Sequence, residues 1–221
     1  LVVLSVFNGL HMLIGQMYDT FDPDLKIEPA QGKVFSLDTI PYQQLILTEG
    51  VKCVSQSVTD QALLRYGRRQ MPCMVLGVDS LFHKVCQIDS IILEGKYKLE
   101  TGNTDFGVMG FILSEQMSVG LNFVSPLGIY APRRNASFNA ANPESGFNTE
   151  FVMPAGIFAV KQVEYDSQYL LIGLRKARRL FEYDSTTVSY LGVAVNKGQD
   201  VEELKATLQK RIGPHFTVKN K

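Results

Sequence analysis

The chain has 221 residues, of which 45% are hydrophobic and 20% are charged, and its 22 basic and 22 acidic residues give a formal net charge of zero. This composition is typical of a folded globular protein and excludes an intrinsically disordered one. The charge balance disfavours a nucleic-acid-binding protein, because contacts with phosphates require a basic excess.

The first segment combines an apolar run with a helical pattern. The run covers residues 1–7, and apolar residues then recur at spacings of three and four: Phe7, Leu10, Leu13, Ile14, Met17, Tyr18 and Phe21. This spacing predicts one continuous helix over residues 1–21. Two interpretations stay open from the residues alone. The helix is either the outer end of a membrane-spanning helix continuing as an amphipathic stalk, or a core helix of a soluble protein.

Strand and helix signals follow in the next 30 residues. Leu25–Glu28 alternates apolar and polar side chains, which predicts a short strand. Asp38 or Thr39 is suited to cap a helix that ends at Gly50.

A hairpin is predicted in the segment after Gly50. Residues 51–66 are rich in β-branched side chains and predict a strand, Gly67-Arg68-Arg69 predicts a turn, and Met71–Val78 predicts the returning strand. The three cysteines, Cys53, Cys73 and Cys86, have neither CxxC nor Cys/His spacing. We therefore expect small buried apolar side chains rather than a disulfide framework or a zinc site.

The middle of the chain differs from its two ends. Glycines punctuate residues 106–158, which predicts strands and turns. Arg175, Lys176, Arg178 and Arg179 form one basic helix face, which we expect to be solvated. A face directed at anionic lipid or at a partner is the alternative.

The C-terminal end repeats the strand–helix–strand order. Tyr190–Val195 predicts a strand, Asp200 caps a helix that ends at Gly213, and a last strand begins at His215. Because one such unit lies at each end of the chain, we predict an α+β fold. A discontinuous α/β domain forms from the two ends, and a β-rich domain is inserted into it.

No catalytic motif is present. The sequence lacks a P-loop, a G-x-G-x-x-G fingerprint and a G-x-S-x-G elbow, and its three histidines are scattered. This absence favours a non-enzymatic binding or coupling module without a cofactor or metal of its own.

Six segments carry a resemblance to a known family. They are Leu1–Gly9, Asp24–Ile27, Gly77–Ser80, Leu93–Gly95, Val152–Phe158 and Glu164–Asp166, the last resembling a family turn. In this order they resemble the large extracytoplasmic loop of the permease subunits of lipoprotein-releasing ABC transporters (LolC/LolE type), which are kin to MacB- and FtsX-like permeases.

The resemblance implies a two-lobed domain after a stalk. Residues 1–21 would be the end of a transmembrane helix and the stalk. Residues 22–95 and 188–221 would form a "porter" α/β lobe, and residues 96–187 an inserted β-rich lobe. The implied partners are a second permease subunit in a homo- or heterodimer, a cytoplasmic ABC ATPase, and a periplasmic lipoprotein carrier or cargo. The implied location is the bacterial inner (plasma) membrane, with this domain on its periplasmic side.

The segment from Ser125 to Thr149 is predicted to be a long exposed loop, which in compact domains is often functional. By its position it resembles the hairpin with which lipoprotein-releasing permeases engage their carrier. The predicted partner-binding residues are Pro126, Leu127, Ile129, Tyr130, Pro132, Arg133 and Arg134. Leu127, Ile129 and Tyr130 would be anchors, and the two arginines would steer an acidic partner. The alternative is a variable loop without a partner.

The leading functional hypothesis is a non-catalytic coupling and docking domain of a permease that moves lipoproteins to a periplasmic carrier. The runner-up is a MacB- or FtsX-like permease domain that exports other substrates or regulates a cell-wall hydrolase. A soluble hydrolase of unknown type is the third and weakest hypothesis.

Overall fold

The computed structural model describes residues 21–121, 125–134 and 143–221. The helix predicted over residues 1–21 lies outside these ranges, apart from its last residue. In the described part of the chain, no helix is both long and apolar enough to cross a membrane.

The strands are β1 (Leu25–Pro29), β2 (Phe35–Ser36), β3 (Val51–Tyr66), β4 (Arg69–Val78), β5 (Ile92–Gly95), β6 (Glu100–Thr101), β7 (Thr104–Gly110), β8 (Leu127–Pro132), β9 (Phe147–Phe158), β10 (Tyr169–Gly173), β11 (Thr187–Val188), β12 (Tyr190–Val195) and β13 (Phe216–Asn220). The α-helices are α1 (Tyr42–Ile46), α2 (Phe82–Val85), α3 (Phe111–Met117), α4 (Val163–Gln168), α5 (Leu174–Leu180) and α6 (Val201–Ile212). Short 3₁₀ turns cover Leu37–Thr39, Ile88–Ile91 and Pro143–Gly146.

One 11-stranded sheet runs through the described molecule. Its main path is β13-β1-β12-β3-β4-β10-β7-β9-β5, with β6 added beside β7, while β8 pairs with both β3 and β9. Since β8 joins β3 to β9, the strands β3, β4, β10, β7, β9 and β8 close into a six-stranded barrel. The predicted mixed α and β architecture is confirmed. The sheet is continuous across the predicted lobe boundaries, and the division into two lobes stays a prediction.

The long hairpin of β3 and β4 forms as its sequence predicts. Ten residue pairs, from Ser57–Val78 to Tyr66–Arg69, are in antiparallel register. The chain reverses at Gly67-Arg68, where Gly67 adopts φ of 59°. A glycine is favoured there because left-handed backbone costs it no steric strain.

The C-terminal helix is also confirmed. The Asp200 carboxylate accepts hydrogen bonds from the backbone N–H groups of Glu202 and Glu203, and the helix ends before Gly213, whose φ is 76°. Leu204, Leu208 and Ile212 bury the inner stripe of α6 against β1, β12 and β13. Each buried aliphatic side chain contributes roughly 1.5–3 kcal/mol.

Helix α5 packs unusually close to β4. A Cβ on Gly77 would lie 2.1 Å from the Cβ of Ala177. The missing side chain therefore lets the helix approach the strand. The largest core cluster then joins residues of all six barrel strands with α3 and α5.

Three local predictions are corrected. The helix expected from Asp38 or Thr39 to Gly50 is a 3₁₀ turn capped by Ser36, followed by the short α1. Residues 106–158 are not all strand and turn, because α3 buries Leu113 and Met117 at helical spacing. The turn expected at Glu164–Asp166 lies inside α4.

Candidate functional site

Strand β8 contains most of the predicted partner-binding residues, so the interpretation of residues 125–149 as one long loop is wrong there and at the start of β9. Leu127 and Ile129 are fully buried in the barrel core. Their predicted role as exposed anchors is therefore wrong. Successive side chains of a strand point to opposite sides, and these two point inward.

The alternate residues of β8 point outward. Tyr130 is half-buried, whereas Pro132 and the preceding Pro126 are exposed. They remain candidates for partner binding, because a partner can reach them.

The outward residues of β8 align in rows with those of its neighbours. Arg65, Gly128 and Phe151 are in register across β3, β8 and β9. Leu63, Tyr130 and Thr149 form the second row, and Pro132 and Phe147 form the third. We call this surface the β8 face; its residues are Leu63, Arg65, Gly128, Tyr130, Pro132, Phe147, Thr149 and Phe151.

The absence of a side chain at Gly128 leaves room for two aromatic rings at the centre of the β8 face. A Cβ at this position would lie 3.0 Å from a ring carbon of Tyr130 and 3.4 Å from one of Phe151. The two rings therefore close over the space that a side chain at Gly128 would occupy.

The two arginines after β8 have different environments. Arg133 is exposed, and its Nε donates to Asn148 Oδ1 at 3.0 Å. Arg134 is held against the domain. Its backbone N–H donates to Glu182 Oε2, its Nε donates to the Phe181 carbonyl, and its guanidinium lies 4.1 Å from the ring centre of Tyr183. Arg133 is therefore available to a partner, whereas Arg134 has a structural role.

Tyr183 connects this corner to β3. Its hydroxyl donates to Asp60 Oδ2 at 2.9 Å. Burial, followed by this hydrogen bond to a carboxylate, raises the pKa of Tyr183 to about 12. The hydroxyl therefore stays protonated at neutral pH and keeps donating to Asp60.

The predicted basic residues lie on helix α5, but not all of them are exposed to solvent. Lys176 on α5 is buried, and its Nζ lies 2.7 Å from Asp105 Oδ2 and 3.0 Å from Glu150 Oε2. Arg179 also contacts Glu150, at 2.7 Å. These contacts join α5 to β7 and β9, on the side of β9 away from the β8 face.

Six of the eight members of the β8 face, all but Tyr130 and Pro132, were missed from the sequence. Phe147 and Phe151 lie on β9, and Arg65 lies on β3. The alternation of Phe147, Thr149 and Phe151 is a strand signal. The sequence alone does not reveal that these residues lie beside those of β8, because this depends on the register between the two strands.

A cleft with a volume of about 540 Å³ lies elsewhere, at the carboxyl ends of the parallel neighbours β4 and β10. Its wall includes Asp79, whose carboxylate accepts from Ser55 Oγ and from the backbone N–H groups of Gln56 and Leu81. Asp79 is thus occupied in holding the turn after β4. Among the described residues that line the cleft, no hydroxyl or thiol is hydrogen-bonded to the imidazole of His83, so no nucleophile–base pair is formed.

Two of the three cysteines are buried as expected, whereas Cys53 on β3 is only partly buried. Cys73 and Cys86 are buried, and all three cysteines are free. Burial raises the pKa of the Cys73 thiol to about 12 and also raises the pKa of Cys86. Both thiols are therefore protonated and unreactive at neutral pH.

Comparison with known proteins gives matches at the level of structure. No family model matches the sequence, and no curated protein sequence matches it. The extracellular domain of the noncanonic ABC-type transporter YknZ from Gram-positive bacteria superposes with a TM-score of 0.58 and 13% identity, covering 89% of this chain and 99% of that domain. The periplasmic region of MacB from Actinobacillus actinomycetemcomitans gives a TM-score of 0.60 and 9% identity, covering 92% of this chain and 91% of that one. The predicted resemblance is confirmed for the fold: this chain has the architecture of the extracytoplasmic domains of ABC-type permeases.

Proposed function

We propose that the chain is a non-catalytic coupling and docking domain of an ABC transporter permease, on the extracytoplasmic side of the membrane. The similarity to the YknZ and MacB domains over nearly the whole chain is the observation that carries the proposal.

The arrangement of the two chain ends supports the proposal. Leu25 of β1 is paired with Asn220 of β13, and Lys221 Nζ lies 3.2 Å from Asp24 Oδ1. A domain inserted between two membrane-spanning helices needs its ends close together. This geometry supplies that, and Phe21 fixes the entry point by stacking on Phe158 with ring centres 5.3 Å apart.

In the proposed setting, a cytoplasmic ATPase moves the membrane helices, and the domain transmits the movement to a partner. The cargo would be lipoproteins passed from the inner membrane to a periplasmic carrier, and the permease would pair with a second permease subunit. A MacB-like permease for other substrates is the second candidate, because the MacB periplasmic region is among the similar structures.

Affinity purification of the full-length protein from its native bacterial membrane tests the proposal. We expect an ABC ATPase subunit, or an ATPase domain in the same polypeptide, to be recovered in stoichiometric amount. Recovery without any ATPase contradicts the proposal. Depletion of the protein separates the two cargo hypotheses. Lipoproteins should accumulate in the inner-membrane fraction if they are the cargo, and an unchanged distribution leaves the MacB-like alternative.

A further inference from the structure

The β8 face exposes large apolar side chains. Phe151 is 53% exposed and Phe147 is 39% exposed, and they lie beside Leu63, Tyr130 and Pro132. Scattered apolar residues are normal on a protein surface, whereas a contiguous group marks a contact site.

The exposed charges at this face are positive. Arg65 lies within it and Arg68 occupies the β3–β4 turn; both are exposed. Arg133 lies on the opposite side of β9, because it donates to Asn148, whose side chain alternates with those of Phe147 and Thr149. Within the described ranges, neither Arg65 nor Arg68 forms an ion pair with a carboxylate. Among the described residues, Arg65 Nε donates only to the neutral Gly67 carbonyl, at 3.4 Å.

The nearby carboxylates are directed to the other side of the strands. Glu150 on β9 contacts Lys176 and Arg179 of α5. Asp60 on β3 accepts from Tyr183. A chain with zero formal charge therefore presents an apolar surface bordered by cations.

The composition favours a protein over a lipid surface. Surfaces that bind anionic membranes usually carry clusters of four to eight lysines and arginines. The eight residues of the β8 face include arginine, tyrosine and phenylalanine but no lysine. This is the composition of protein interface centres. A second copy of the same face is disfavoured, because a two-fold contact would bring arginines towards arginines.

We infer that the β8 face binds a partner protein whose contacting surface is apolar at its centre and acidic at its rim. This inference rests on the proposed function, because it names the chemistry of the partner that the docking domain engages. Tyr130 and Phe151 are the central contacts, and Arg65 and Arg68 orient the acidic rim.

Site-specific photo-crosslinking in the native bacterium tests the inference on the full-length protein. A benzophenone amino acid replaces Phe151 or Phe147, and in two controls it replaces Leu93 or Val163, which are 61% and 73% exposed but lie outside the β8 face. We expect a protein adduct from the two face positions and none from the controls. Mass spectrometry identifies the captured protein, which is then produced in recombinant form.

Titration of that recombinant partner against the purified full-length protein tests the chemistry. The double variant Arg65→Glu/Arg68→Glu should weaken binding by about tenfold or more, and this loss should shrink at high salt. Phe151→Ala should weaken binding by about tenfold, as expected of a central aromatic contact. The control Lys197→Glu changes an exposed cation in a distant turn and should leave the affinity unchanged.

Several results would overturn the inference. These are adducts with lipid only, adducts with a second copy only, face adducts no stronger than the controls, or an affinity that the arginine reversals do not change. The ATPase recovery described above distinguishes a failure of this inference from a failure of the proposed function. If ATPase is recovered but the face fails these tests, the inference alone is wrong; if ATPase is not recovered, the proposed function is wrong.

Discussion

Replacing Lys176 with methionine tests the buried ion pairs that join α5 to the barrel. The Lys176 ammonium contacts Asp105 on β7 and Glu150 on β9, and it also donates to the Phe151 carbonyl at 2.8 Å. Methionine keeps an unbranched apolar stem of similar length but removes the charge and the donors.

The expected loss follows from what remains after the substitution. Asp105 would lose the cation it contacts, whereas Glu150 would keep Arg179. Removing one partner of a fully buried ion pair costs about 3–5 kcal/mol. The side chains of Asp105 and Glu150 keep 26% and 19% of their exposure, so water compensates part of the loss. We therefore expect a decrease in the free energy of unfolding of about 2–4 kcal/mol, which corresponds to a fall in Tm of about 5–15 °C for a domain of this size.

Urea unfolding and calorimetry of the Lys176→Met variant measure the effect, and the chain offers a matched control. Arg175 is the preceding residue of the same helix and pairs with Glu100, but their side chains are 74% and 50% exposed. Arg175→Met should therefore cost about 1 kcal/mol or less. If the two variants lost equal stability, burial would not be what gives the Lys176 contacts their strength, and the reasoning would fail.

Three further predictions concern the packing, the sheet edge and one surface carboxylate. Gly77→Ala places a Cβ against that of Ala177, so we expect a loss of about 1–3 kcal/mol in urea unfolding; an unchanged midpoint would show that α5 shifts without cost. The Gln209 side chain accepts from the Val218 N–H at the outer edge of β13, so Gln209→Leu should expose that edge and increase self-association in sedimentation velocity. Self-association no greater than that of the unchanged protein would rule out an edge-capping role. Hydrogen bonds from Thr187 and Thr186 lower the pKa of the Asp184 carboxyl, and its contribution to stability should be present above the unfolded-state pKa and lost as the pH falls through the folded-state value. An NMR titration midpoint for Asp184 equal to that of the unfolded chain would contradict this.

Elements with local signals could be predicted from the sequence. The β3–β4 hairpin follows from β-branched runs around a glycine turn, and α6 follows from its Asp200 cap and its apolar stripe. In both cases the residues that decide the structure are neighbours in the chain. Local propensity and tertiary packing therefore favour the same secondary structure in these two elements.

Features that depend on distant partners could not be predicted. Lys176 belongs to a basic run that resembles a solvated helix face, and only the fold brings Glu150, 26 residues away, against it. Helix α3 was missed because Phe111-Ile112-Leu113 fits a strand equally well. Its helical state depends on packing Leu113 and Met117 into the barrel core.

Strand β8 shows why its segment was identified as important while its contacts were misassigned. Its apolar residues were interpreted as one exposed group, but a strand between β3 and β9 divides them between two sides. Ile129 closes the core, whereas Tyr130, the next residue, faces outward. The closure of the barrel and the proposed docking surface therefore use alternate positions of the same strand. Truncating Ile129 should lower stability, whereas truncating Tyr130 should act mainly on partner binding. Strand β8 thus both closes the barrel and fixes the positions of the residues in the β8 face.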